Sequence, residues 1–401
     1  MISQKIRSFA DLAELTTHSR KILTLFSGGL DSSYLLKELV DRDCEVVALA
    51  VDVGEGVQLE DLREITGYFG AQLEVIDAKE QFVINAVLPA LRAQARYLGI
   101  YPISASLSRP IMAHCAVQTA RRLGCAAIIH TANRSQNSLR RLNGAIRQLG
   151  FEGWFGTPYE QTAMSREAKI ESLRRAGMAR FEARGISGDA NLWCREFESG
   201  ALDNPEAFWA PESLYEWTSV RDRPATSELS IGFEQGVPVM LDGSPLPLQE
   251  LIGRLNRELG AYQIGRYSGL EHLDQGEKVL EVREAPAATV LMDAYRHLET
   301  ATLDAELLRV KMGLEQVWVR EAIEGRWFGG LREAADAFIL RTSRLVTGSV
   351  SYRLRQGAFD LCAIKASRPL YLKDRDAWEK LVISELGHMR QSTERELELQ
   401  P

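Results

Sequence analysis

Six consecutive residues near the N-terminus have the types and spacing that hold phosphate. Ser27-Gly28-Gly29-Leu30-Asp31-Ser32 follows the largely apolar run Ile22-Leu23-Thr24-Leu25-Phe26 and precedes Tyr34-Leu35-Leu36-Lys37-Glu38-Leu39, which has helical spacing. A strand entering a glycine-rich turn at a helix N-terminus points backbone N–H groups and a helix dipole at an anion, and glycine lets the backbone come close. The serines add hydroxyl donors. Asp31 can help hold Mg2+, which takes carboxylate and phosphate oxygens. The turn lacks the Gly-Lys-Ser/Thr ending of a P-loop and the third glycine of a dinucleotide fingerprint. The plain alternative is an ordinary tight turn in an α/β sheet.

The elements around this turn must position it. Strand signals at 21–26, 45–51, 72–76 and 126–130 alternate with helix signals at 33–41, 60–69, 82–97 and 109–123. Such alternation predicts a doubly wound, mostly parallel sheet with helices on both faces. Ligands of such sheets sit beyond the carboxyl ends of the strands, near a switch in strand order. The informative loops are therefore 27–32, 52–57 and 131–138.

Beyond residue 165 the pattern changes to that of an α+β unit. Ser165 caps a predicted helix at 165–176. Residues 185–204 read as loop-rich, and Glu234-Gln235-Gly236 marks a hairpin. Helices are expected at 248–259 and 289–312, and strands at 346–353 and 361–365. The pattern divides the chain into a nucleotide-binding domain at 1–165, a second domain at 166–370 and a helical tail at 371–401.

The 401 residues carry 48 basic and 55 acidic side chains, a net charge of −7, which disfavours a general nucleic-acid surface. The five cysteines are odd in number, and no two have CxxC spacing, so neither a disulfide framework nor a zinc site is expected. No apolar run is long enough to span a bilayer, and the N-terminus lacks a signal-peptide core. A cytoplasmic protein without membrane or nucleic-acid partners is the expectation.

Ser-Gly-Gly-x-Asp-Ser resembles the loop of enzymes that split ATP into AMP and pyrophosphate. Residues 27–33, 99–110, 187–192, 231–243, 284–289 and 346–350 together resemble argininosuccinate synthases in order and spacing. Tyr101-Pro102-Ile103-Ser104-Ala105-Ser106-Leu107-Ser108-Arg109-Pro110 and Ile231-Gly232-Phe233-Glu234-Gln235-Gly236 are the most specific blocks after the loop. The resemblance implies ATP and Mg2+ as cofactors, small amino-acid substrates and a homotetramer assembled with help from the C-terminal helix. It also implies two steps. A ureido oxygen, citrulline's in the family, attacks the α-phosphorus of ATP, and an amine, aspartate's in the family, then displaces AMP. Leu25, Phe26, Ser27, Gly28, Gly29, Leu30, Asp31, Ser32, Ser33, Val51 and Thr131 would bind ATP. Tyr101, Ser106, Asn133, Asn137, Ser138, Arg141, Ser187, Glu196, Glu271 and Arg283 would bind substrates. Asp31 and Arg109 would be catalytic.

The departures from that family concentrate on the substrate side. The family's Thr-Gly-Lys-Gly-Asn-Asp-Gln-Val-Arg stretch reads here Asn133-Arg134-Ser135-Gln136-Asn137-Ser138-Leu139-Arg140-Arg141. Its glycines and lysine are gone, and Ser138 replaces an acidic residue whose charge a serine cannot supply. Ala105 stands where a hydroxyl is common, and Phe155-Gly156-Thr157-Pro158-Tyr159 where the family has Ala-Pro-Trp-Arg. Glu196 replaces a serine and Arg283 a tyrosine. Burying either charge alone is costly, so each needs a partner or a ligand group; a surface pair of little value is the alternative. Asn137 and Arg141 otherwise read as a helix start and an exposed helix face, Tyr101 as a core aromatic, and His130 as structural. Three readings follow: an argininosuccinate synthase, a paralogue joining a different ureido compound or amine, or an ATP pyrophosphatase acting on tRNA. A nucleotide-binding regulator without catalysis is a fourth.

Overall fold

The computed structural model describes residues 5–54, 56, 58–181, 186–219 and 225–384. Its first half is built on six strands in the order Lys5–Ile6, Trp154–Gly156, Ala127–Ile129, Lys21–Leu25, Glu45–Asp52 and Gln72–Asp77. All neighbouring strands are parallel. Side chains alternate between two apolar layers. Leu23, Leu25, Val47, Leu49 and Val51 pack with Phe82, Leu107 and Ile111 on one face. Ile22, Val46, Ala48 and Ala50 pack with Tyr34, Leu35 and Leu39 on the other. Burial on both faces is why these strands read as nearly continuous apolar runs. This is the expected doubly wound arrangement.

The chain runs outward from Lys21–Leu25 to Gln72–Asp77, then crosses back and lays Ala127–Ile129 against the opposite edge of Lys21–Leu25. Strand order reverses between those two strands. The crevice above their carboxyl ends is lipped by residues 26–29 and 130–137. Of the 52–57 loop, residues 55 and 57 lie outside the described residues.

Three helical expectations are corrected. The helix expected at 82–97 runs as Lys79–Phe82, a wider turn at Val83–Val87, and Leu88–Arg92. It stops because Gln94 takes φ +46° and Arg96–Tyr97 instead pairs with Tyr101–Pro102. The helix expected from 109 starts at Ala105, so it includes Ser106 and Ser108 in its first turns. The helix expected at 289–312 is two helices, Pro286–Thr302 and Ala305–Ile323. Asp304 accepts a hydrogen bond from the Leu307 N–H at 2.9 Å and restarts the second.

The second half holds two antiparallel sheets. One has the order Ser244–Pro245, Val237–Leu241, Ser227–Glu234, Gly348–Arg355, Ala358–Ala366. It contains the expected hairpin. The other has the order Arg266–His272, Lys278–Glu284, Arg195–Glu198, Ser187–Ala190. Two of its strands lie in the stretch read as loop-rich, and two were not anticipated. One apolar core runs from Leu25 and Tyr101 of the first half to Leu255, Tyr295 and Val350 of the second. Residues 375–384 are helical; the rest of the expected tail lies outside the described residues. Among the described residues no helix is long and apolar enough to cross a membrane.

Candidate active site

The phosphate-type loop is formed as its sequence requires. Gly28 has φ +74°, and a Cβ there would stand 2.7 Å from Leu62 Cδ2. The left-handed conformation is what calls for glycine here; a Cβ would also press on the end of the Leu62 side chain. Gly29 is the N-cap of helix Leu30–Val40 and supplies no side-chain cap. The loop is braced internally: Ser32 Oγ donates to the Gly29 carbonyl at 3.1 Å and lies 3.3 Å from Ser27 Oγ. Ser33 Oγ is buried without a hydrogen-bond partner among the described residues, a donor that suits a ligand oxygen. Leu25, Phe26 and Leu30 are buried beneath the loop, Val51 is buried near the end of the adjacent strand, and Thr131 follows the strand Ala127–Ile129.

Asp31 faces a residue the sequence reading missed. Lys169, on helix Arg166–Arg175, places Nζ 2.8 Å from Asp31 Oδ1 and 4.4 Å from the centre of the Tyr159 ring. Lys169 is buried, whereas 43% of the Asp31 side chain remains exposed. Nothing in the local sequence marked this lysine, because only the packing of two distant helices brings it to the loop. Lys169, Asn133, Arg134, Ser135, Tyr159 and Gln161 line an open cleft of about 560 Å³. Asn133 Oδ1 accepts from the Ser135 N–H and hydroxyl at 3.0 and 2.7 Å, which shapes that loop.

Arg109 is fixed in place by several partners. It binds Asp189 through two nitrogens, at 2.7 and 3.4 Å, and Nε donates to Ser138 Oγ at 3.0 Å. Asp189 and the half-buried Ser187 lie on the same strand.

Several of the residues expected to bind substrate form one buried ionic network. Glu196 and Arg283 stand directly opposite on adjacent strands and bind each other. Arg283 also binds Glu281 and, at 3.1 Å, Glu271, and its guanidinium lies 4.4 Å from the centre of the Tyr101 ring. Glu271 further accepts from Arg141 at 2.5 Å, Asn137 at 2.8 Å and the Tyr101 hydroxyl at 3.4 Å. Glu196 Oε1 accepts from the Ala105 N–H at 3.1 Å, at the start of helix Ala105–Leu123. Arg283 is 2% exposed and Glu196 9%. This corrects the surface-pair reading: each charge is the other's partner. Arg141 is likewise buried rather than on an exposed face, and Asn137 turns its amide to Glu271 instead of capping its helix.

Burial pushes Glu271 up, but Arg141 and Arg283 reverse this and hold it well below the usual carboxylate range. Burial raises Glu281 well above that range, with Arg283 opposing and the other carboxylates adding to the rise. His130 is structural, as expected. Its Nδ1 accepts from the Ala132 N–H at 3.3 Å, and its Nε2 lies 3.0 Å from Asn143 Oδ1. That pattern needs a neutral ring, and burial lowers its pKa to about 4. The structure thus brings Tyr101, Asn137, Arg141, Glu196, Glu271 and Arg283 together at one wall.

Comparison with known proteins places the whole arrangement in one group. Residues 21–179 match the model of the arginosuccinate synthase N-terminal HUP domain, and residues 186–385 that of the arginosuccinate synthase C-terminal domain. The argininosuccinate synthase of Rubrobacter xylanophilus is 38% identical over 362 residues, covering 88% of each chain. That of Symbiobacterium thermophilum is 38% identical over 90% of this chain and 92% of its own. That of Pyrococcus furiosus is 34% identical over 90% of this chain and 88% of its own. Matches across both halves, together with a glycine-rich loop at the sheet's switch point, establish that the chain belongs to the argininosuccinate synthase family, whose members are ligases that form carbon–nitrogen bonds.

Proposed function

We propose that the protein is an ATP-dependent ligase that adenylates a ureido-type oxygen, releases pyrophosphate, and joins the activated carbon to an amino-acid amine with release of AMP. The observation that carries this reading is the Ser27–Ser33 cradle, with its uncapped helix N-terminus and unsatisfied Ser33 hydroxyl, at the strand-order switch.

In the first step the carbonyl oxygen bonds to the α-phosphorus, and the bond from that phosphorus to the pyrophosphate leaving group breaks. In the second, the amine nitrogen bonds to the carbon, the carbon–oxygen bond breaks, and the nitrogen loses a proton. AMP departs with the former carbonyl oxygen. No side-chain nucleophile is required; positioning and charge stabilisation do the work. Ser27, Gly28, Gly29, Ser32 and Ser33 would hold the phosphates. Arg109, fixed by Asp189 and Ser138, would present a constant cation to the reacting groups.

Mg2+ typically uses one or two carboxylates plus substrate phosphates. Asp31 fits that mode, and among the described residues there is no ready-made cluster of three metal ligands. When bound, Mg2+ would neutralise phosphate charge, while Lys169 restrains the Asp31 carboxylate. We also place the nucleotide half within residues 1–165 and infer a homotetramer. The exposed Trp378, Leu381 and Ile383 near the end of the described chain support an assembly surface.

The test is isotope transfer. With MgATP, an amine and 18O-labelled ureido compounds, the label should appear in AMP by mass spectrometry. Formation of ADP, or of unlabelled AMP, would exclude attack by that oxygen. Citrulline plus aspartate is the reference pair, and a panel of other ureas and amines tests the paralogue reading, which the Glu196–Arg283 pair favours.

A further inference from the structure

The family resemblance implies that Tyr101, Ser106, Arg141, Ser187, Glu196, Glu271 and Arg283 bind substrate, and the wall they form is taken here as the acceptor's side. An α-amino acid brings an ammonium and a carboxylate, and its pocket must supply an anion for the first and donors for the second. Both kinds of group are present at this wall, but the protein uses them itself. The Ala105 N–H, at a helix N-terminus suited to a carboxylate, is taken by Glu196. Glu271, suited to an ammonium, is taken by Arg141, Arg283 and Asn137. The Arg283 guanidinium covers Tyr101.

Several side chains of this wall are also closed to solvent. Tyr101, Ser106, Glu271 and Arg283 are each at most 2% exposed. The cleft described above, between Asn133 and Lys169, is lined by none of the acceptor-wall residues from Tyr101 to Arg283 named above. Separating the buried Glu196–Arg283 pair to admit a zwitterion would strand charges out of water, so a substrate head cannot displace it cheaply. The pair also matches what it excludes: a carboxylate on a helix N-terminus beside a cation held by carboxylates.

We propose that Glu196 and Arg283, with Glu281, occupy the place of an amino-acid head, so that the acceptor is a small ureido compound without an α-ammonium and α-carboxylate. This inference rests on the adenylation reading above.

The test uses the full-length protein and follows pyrophosphate release with MgATP and an amine panel. Citrulline is compared with urea, N-methylurea and N-propylurea. The wild type should release pyrophosphate with an alkylurea at least tenfold faster than with citrulline. The triple variant Glu196→Ser, Glu281→Ser, Arg283→Tyr removes the charges together, and Glu271 keeps Arg141 as its cation. It should gain citrulline-dependent release at least tenfold over the wild type. The wild-type comparison decides the matter even if the variant fails to fold. Efficient citrulline turnover by the wild type overturns the inference and leaves adenylation standing. So does silence with every alkylurea while MgATP still raises the melting temperature. If MgATP has no effect on melting, the adenylation reading fails, and the inference falls with it.

Discussion

Lys169 shows how a single side chain can complete a loop that it does not belong to. Its ammonium meets Asp31 from a helix more than a hundred residues away, beside an open cleft. Replacing it with methionine removes a cation from the phosphate side while keeping much of the bulk. Lys169→Met should weaken MgATP binding about tenfold, about 1.4 kcal/mol, measured by calorimetry. An unchanged dissociation constant would limit Lys169 to packing. His130 gives a pH signature at the same scale. Its folded pKa of about 4 lies below the ordinary histidine value of 6.5. Below pH 6.5 the unfolded chain takes up a proton that the folded chain refuses. Stability is therefore whole above pH 6.5 and falls as pH drops toward 4, by up to about 3 kcal/mol. His130→Gln should flatten that part of the melting-temperature profile.

At the scale of elements, the glycine turn and the paired strands make separate demands. The Gly28 turn needs positive φ. Gly28→Ala should cost about 1–2 kcal/mol for the left-handed conformation and weaken ATP binding further by moving the loop; thermal melting and nucleotide titration separate the two effects. In strand Lys278–Glu284, Leu280 and Val282 face an apolar cluster with Phe197 and Leu202. Arg283 points the other way, into the carboxylates. Arg283→Met should destabilise the protein by about 3–5 kcal/mol, because Glu196, Glu271 and Glu281 would stay buried with less compensation. Urea denaturation measures this, and a change below about 1 kcal/mol would place the cluster in a far more polar setting than its burial indicates.

At the scale of the whole molecule, Glu271 joins the two halves. It lies on the antiparallel sheet yet accepts from Asn137 and Arg141, which belong to the parallel-sheet half. Because its folded pKa is depressed, its contribution is complete above the ordinary glutamate range and is lost as pH falls through its lowered value. Glu271→Gln should therefore lower the melting temperature at pH 7 and shrink the wild-type loss of stability below pH 4. Both halves should melt together in either protein, since one apolar core spans them; two resolved calorimetric transitions would contradict that coupling.

The glycine turn, the parallel sheet and the family were legible in the sequence because they rest on local rules: apolar runs, a two-glycine turn and helical spacing over short distances. The hairpin at Glu234–Gly236 was legible for the same reason. The strands that carry Glu196, Glu271 and Arg283 were not. Each offers only one to three apolar positions among charged ones, too few to mark a strand, and most of the compensation for each charge lies on another element. The sequence identified Glu196 and Arg283 as charges needing partners. Only the tertiary structure decided that they answer each other, because strand register, which local spacing does not specify, sets them face to face. Lys169 is the same case in another form: its role arises where two helices meet, and no neighbour in the chain announces it.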